Sequence, residues 1–209
     1  MLYKIDKIKD GDWPEVINLI SESIGNVVIV KLGKRFAELF YRSFSLQDYS
    51  CVYVARSNQG RIIGVIIGTL DHRRAYLQAV NNQRLRLFLS ANIHLLSIPF
   101  IAWLLNGIMC RLKKKPHEKP CQLKARLVVI AVCGEFRGSG LANSLVTQME
   151  KFLFEHGLRE EYLILTEKNN SVANRFYEKI GAVFSTTYIH HGRTINEWHK
   201  SITDRNFYE

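Results

Sequence analysis

Two short stretches of this 209-residue chain hold the residue types that bind phosphate and move protons. The first is Cys133-Gly134-Glu135-Phe136-Arg137-Gly138-Ser139-Gly140, which follows an apolar run and precedes an amphipathic stretch beginning at Leu141 and Ala142. Glycines let main-chain amides come close to an anion, and the first turn of a helix has N–H groups without intrahelical partners. Arg137 adds a charged donor to such a cradle. The turn lacks the Gly-Lys-Ser/Thr of a triphosphate loop and a complete GxGxxG. By itself it reads either as a diphosphate site or as a plain turn. The second stretch, Asn170-Ser171-Val172-Ala173-Asn174-Arg175-Phe176-Tyr177-Glu178-Lys179-Ile180-Gly181, carries Tyr177. A phenol, with an ordinary pKa near 10, can donate a proton at neutral pH, and it equally suits aromatic packing.

The elements that must position these stretches follow from hydrophobic period and turn chemistry. Leu2–Ile8 alternates as a short strand. Asp12 is the expected N-cap of a helix with Pro14 in its first turn, and Leu32–Phe44 is expected as a second helix. Cys51–Arg56 and Arg61–Leu70, joined by Ser57-Asn58-Gln59-Gly60, form the expected hairpin. Arg126–Val132 is apolar at every position after the first, the pattern of a central, fully buried strand. A helix from Leu141 to Gly157, a strand Tyr162–Thr166, a helix Asn170–Ile180 closed by Gly181, and a strand pair Val183–Ile189 with Thr194–His199 complete the order. The expected class is α/β with a mixed sheet, in one domain over 1–209 without internal repeats.

Arg137-x-x-Gly140-x-Ala142 and Asn170-x-x-Ala173-x-x-Phe176-Tyr177-x-Lys179-x-Gly181, in this order and one strand apart, resemble the paired motifs of the GNAT superfamily of N-acetyltransferases. The resemblance covers residues 126–199 well and 1–70 weakly; Gly134 departs from it, standing where family members usually have proline. It implies a GNAT-like acyl-CoA N-acyltransferase fold with acetyl-CoA as co-substrate and no metal. Main-chain groups of Ile130 and Val132 would hold the pantetheine arm and the thioester carbonyl. The amides of Arg137, Gly138, Ser139, Gly140, Leu141 and Ala142 would wrap the pyrophosphate. Asn170 would contact the pantetheine region, Arg175 would reach phosphate, and Tyr177 would protonate the departing thiolate. The reaction would be direct attack of a primary amine on the thioester.

No general base is assigned. Asp71 and Glu167 sit at strand ends, His190 and His191 on the terminal strands, and each is also what an ordinary solvated surface provides. Cys133 lies beside the turn without a histidine near it in sequence, and reads as a small core residue.

Charge is unevenly spread. Residues 71–126 hold eleven Lys/Arg against two Asp/Glu, nearly all of the net +10, while the flanks almost balance. Within this stretch Leu87–Cys110 is twenty-four residues without a formal charge. The segment 71–125 is therefore read as a basic and apolar helical insertion. A single membrane span there would place the two halves of the expected fold on opposite sides of a bilayer. A lid over the acceptor cleft, a homodimer contact through 87–115, a membrane-surface hairpin and plain buried core remain open. Such a lid suits a small-molecule or glycan amine acceptor that carries phosphate, such as an amino sugar of surface-glycan assembly. Basic residues broken by an apolar block do not suit nucleic acid. Four scattered cysteines and a charged start without an apolar signal run point to a reduced, cytoplasmic protein. The other functional class is a non-catalytic acyl-CoA-binding module that docks to a partner or membrane through the insertion.

Overall fold

The computed structural model of the chain describes residues 3–24, 29, 32–90, 123–190 and 192–202, with backbone alone over 82–90. Its strands are β1 (Tyr3–Lys7), β2 (Ser50–Ser57), β3 (Ile62–Thr69), β4 (Arg126–Val132), β5 (Glu161–Glu167), β6 (Val183–His190) and β7 (Arg193–Ser201). The helices are α1 (Trp13–Ser23), α2 (Lys34–Ser45), α3 (His72–Ser90), α4 (Leu141–Glu155) and α5 (Ser171–Lys179). The strands make one seven-stranded sheet in the order β1-β2-β3-β4-β5-β7-β6, antiparallel except for the β4–β5 pair. This is the mixed α/β sheet expected, with the terminal hairpin inserted so that β7, not β6, borders β5.

Each face of the sheet has its own core. Trp13, Ile17 and Ile20 of α1, Phe40 and Phe44 of α2, and Ala75 and Ala79 of α3 pack on Val65, Ile67, Val129 and Ala131. On the other face Leu141, Leu145 and Met149 of α4 and Tyr177 of α5 pack with Ile66, Leu127, Tyr162, Ile164 and Trp198. The helix α4 lies very close to β3. A Cβ on Gly68 would meet the Met149 side chain at 2.5 Å, so glycine there is a packing requirement.

Two expectations change. Asp12 stands at the N-cap of α1 as expected but makes no capping bond with its side chain; its carboxylate instead accepts from the Lys9 amide at 2.7 Å and pairs with Arg56 on β2. The three-residue turn Asp10–Asp12 ahead of α1 explains this, because it draws the Asp12 side chain back toward Lys9. β4 is also not buried throughout. Leu127, Val129 and Ala131 are buried, whereas Val128, Ile130 and Val132 are half-buried. The cause is that β4 is covered along one edge and open along most of the other, as follows.

Of the proposed insertion, His72–Ser90 is the helix α3, which rests on α2 through Tyr76 against Phe40 at 5.8 Å. The rest of the apolar run, the basic residues Arg111 and Lys113–Lys115, and His191 lie outside the described residues. Among the described residues no helix is long and apolar enough to cross a membrane.

Candidate active site

β4 and β5 pair only at Arg126 with Leu163 and Leu127 with Ile164. Beyond that point the two parallel strands part, while β4 remains paired with β3 up to Val132 opposite Gly64. The Cys133 amide donates to Ile63 on β3 at 2.9 Å. Main-chain groups alternate from edge to edge along a strand, so the peptide groups of Ile130 and Val132 face the other way, into the gap. One of them has a partner across it, since Ser23 at the end of α1 donates its hydroxyl to the Val132 carbonyl at 3.4 Å. A strand edge open in the middle of a sheet is a place for an extended ligand to add hydrogen bonds.

The glycine-rich turn closes the wide end of this gap. Gly138 and Gly140 have φ of 81° and 86°, a left-handed backbone that bends the chain from β4 into α4. Within the turn Arg137 donates its amide to Gly134 at 3.2 Å and Ser139 donates its amide to Phe136 at 3.4 Å. The Ser139 hydroxyl also donates to Phe136 and stands 3.4 Å from the Leu141 amide as its acceptor. No acceptor among the described residues takes the amides of Gly138, Gly140 or Ala142. These three, with the exposed Arg137 side chain, make an unfilled set of donors at a helix N-terminus. The Leu141 side chain is fully buried, leaving its amide alone at the turn.

α5 stands beyond β5. Asn170 is its N-cap, its side chain accepting from the Ala173 amide at 3.1 Å. Asn174 is a connector that the sequence reading passed over. Its side chain donates to the Glu167 and Asn170 carbonyls at 3.1 and 2.8 Å and accepts from Asn196 and Trp198 at 3.2 and 3.3 Å. It thereby ties α5 to the end of β5 and to β7. Tyr177, one turn later, is 5% exposed, and burial raises its phenol above its ordinary value. The proton therefore stays on the oxygen at neutral pH. Arg175 is exposed two residues before it, a separation that puts the two side chains on opposite sides of the helix.

The unassigned candidates separate clearly. Asp71 follows β3 at the end of the sheet where Thr69 pairs with Arg126, the opposite end of β4 from the glycine-rich turn. There it accepts from the Arg74 amide at 2.9 Å and caps α3. Glu167 ends β5 at the open end of the gap, paired with Arg193 at 2.8 Å. His190 is at the far end of β6, with its ring against Tyr188. Cys133 is half-buried and packs on both cores, and Arg61 reaches its sulfur at 3.4 Å.

Residues 108–182 match the sequence model of the Acetyltransferase (GNAT) family. No curated protein sequence matches the chain. Among solved structures, Ard1 from Thermoplasma volcanium is 14% identical and superposes with a TM-score of 0.61, over 98% of this chain and 100% of that one. A spermidine N-acetyltransferase SpeG chimera from Vibrio cholerae and hSSAT is 13% identical, with a TM-score of 0.61 and 100% of both chains covered. The structure of yncA from Salmonella typhimurium with its cofactor acetyl-CoA is 9% identical, with a TM-score of 0.60 over 98% of this chain and 96% of that one. The parted parallel strands, the donor-rich turn between them and this shared architecture agree: the chain has the GNAT fold, and its residues 108–182 are similar to the GNAT acetyltransferase family.

Proposed function

We propose that this protein transfers an acetyl group from acetyl-CoA to a primary amine, with Tyr177 as general acid. The observation that carries the reading is the end of β4–β5 pairing at Leu127 and Ile164 on the strand that leads into a turn where the Gly138, Gly140 and Ala142 amides have no acceptor among the described residues. In this reading the pantetheine arm completes the open edge of β4 on the Ile130 and Val132 peptide groups. The diphosphate lies on the Gly138–Ala142 amides and Arg137, with Ser139 shaping the turn and Arg175 meeting phosphate from α5. Asn170 borders the arm where α5 begins.

The chemistry then needs little from side chains. The amine nitrogen attacks the thioester carbon, and negative charge grows on the carbonyl oxygen, where a β4 amide donates to it. As the C–S bond breaks, the sulfur takes the proton that burial keeps on Tyr177. General acid assistance of this kind is worth about a hundred- to ten-thousandfold in rate.

The acceptor is read as an amino sugar bearing phosphate, because the basic segment 71–125 begins as α3 on the sheet face that also carries Glu167. The reaction is placed in the cytoplasm, and sedimentation and liposome flotation test the homodimer and membrane contacts considered for 87–115.

The deciding experiment offers acetyl-CoA with glucosamine, a nucleotide-linked amino sugar, lysine and a peptide with a free N-terminus, following thiol release. Tyr177→Phe is expected to keep acetyl-CoA affinity and lose at least a hundredfold in kcat. Transfer confined to the peptide would overturn the amino-sugar assignment. A Tyr177→Phe variant with wild-type kcat would remove the general-acid role.

A further inference from the structure

β7 carries a carboxylate and an imidazole in contact beside the strand that borders the gap. Along β7 Asn196, Trp198 and Lys200 face α4 and α5, as the bonds of the first two to Asn174 and of Lys200 to Glu150 show. The alternate residues Arg193, Ile195, Glu197 and His199 therefore share the opposite face with Leu163, Leu165 and Glu167 of β5. That is the face on which α1–α3 cover β2–β4, and none of their buried core residues lies on β5 or β7.

Register fixes where Glu197 stands. Ile164 is the last β5 residue paired with β4, and the next residue, Leu165, is the first to border the gap. Its cross-strand partner on β7 is Glu197. Glu197 is thus one strand spacing, about 5 Å, from the β5 residue that first borders the gap. Its side chain is only 12% exposed, and His199 Nε2 meets its Oε1 at 3.0 Å. His199 Nδ1 in turn lies 3.5 Å from Glu161 Oε2. A carboxylate this enclosed is costly unless it is paired, and here its partner is the His199 imidazole. Among the described residues of β5–β7, the other charged or titratable groups on this face are Glu161 and Glu167 of β5, Arg193 of β7, which is committed to Glu167, and Tyr188 and His190 of β6.

We infer that Glu197 receives the acceptor's ammonium group and takes its proton, and that His199 is the positioning residue that holds the carboxylate. This inference rests on the acetyl-transfer reading above and concerns the amine end of the acceptor alone. The ammonium loses one proton to Glu197, from which it passes to water. The neutral amine then forms the C–N bond as the C–S bond breaks; Tyr177 supplies the thiol proton, and the second proton that leaves the nitrogen returns through water to the Tyr177 oxygen, restoring the phenol. One cationic amine and one thioester give one amide, one thiol and one released proton.

The test measures kcat/KM against pH for the wild type, Glu197→Gln, His199→Gln and the control Glu161→Gln, with acetyl-CoA and the best of the four acceptors named above. Glu197→Gln is expected to lower kcat/KM about a hundredfold and to remove the acidic limb of the profile, with acetyl-CoA Kd unchanged. His199→Gln, which leaves the carboxylate in place, is expected to lower it about tenfold and move that limb. Should Glu197→Gln fail to fold, the His199→Gln profile decides. An active wild type whose limb survives in both variants overturns this assignment and leaves the transferase reading standing. A wild type without transfer to any amine overturns both.

Discussion

Tyr162 donates its hydroxyl to Glu150 Oε1 at 2.7 Å, across the buried interface between β5 and α4. Lys200 of β7 reaches the same oxygen at 3.0 Å. All three residues are less than a tenth exposed, so an ion pair and a phenol share one buried site between α4 and the sheet. Removing one member leaves a charge without its counterion in the core, which costs about 3–5 kcal/mol. Lys200→Ala is therefore expected to lose that much stability in urea titration. The double change Glu150→Leu with Lys200→Met, which removes both charges, is expected to recover most of it.

The close approach of α4 to β3 makes a second prediction. Gly68→Ala forces a methyl against Met149 and is expected to cost about 1–3 kcal/mol. Gly11→Ala, where nothing lies within 4 Å of the added carbon, serves as the control. Thermal melts of the two variants should differ by several degrees.

His72 at the start of α3 is lowered from 6.5 to about 4 by burial, with Arg126 adding to the shift and Asp71 opposing it. The unfolded chain protonates this imidazole at higher pH than the folded chain does. Its contribution to stability is therefore complete above pH 6.5 and falls as the pH drops from 6.5 to about 4. The urea midpoint should decline over that window, and His72→Gln should flatten the decline.

Gly140 holds the left-handed backbone at the mouth of α4. Gly140→Ala should cost about 1–2 kcal/mol in stability and tilt the amides that follow. Calorimetric titration with acetyl-CoA is expected to show weakened binding beyond what Arg137→Ala alone produces. Equal affinities in wild type and Gly140→Ala would mean that the turn does not hold the diphosphate.

Features carried by local residue chemistry were readable before any coordinates. The turn at Gly138 and Gly140 is one, because only glycine tolerates that backbone freely. The Ser57–Gly60 hairpin is another, decided within four residues. What could not be read depends on partners far away in the chain. Arg126–Val132 is apolar at almost every position, so its sequence hides which residues lose their cover when β5 departs. Asp71 and Glu167 look alike as strand ends, yet strand direction puts them at opposite ends of the sheet. Asn174 carried no signal of its own, since its partners Asn196 and Trp198 come from a strand two elements later. The same holds for Lys200 with Glu150, which are fifty positions apart.

The register shift in the β3–β4 ladder, where Ile67 faces Val129 and Gly68 faces Leu127, leaves Val128 as one residue too many. Leu127 points to the α4 core and Val129 to the α1 core, although two places along a regular strand would give them the same direction. Val128 is thus a parity switch for β4. Deleting that single residue would exchange inside for outside from Val129 onward and swing the Ile130 and Val132 peptides toward β3, sealing the cleft with Arg137, Asn170 and Tyr177 still in the chain.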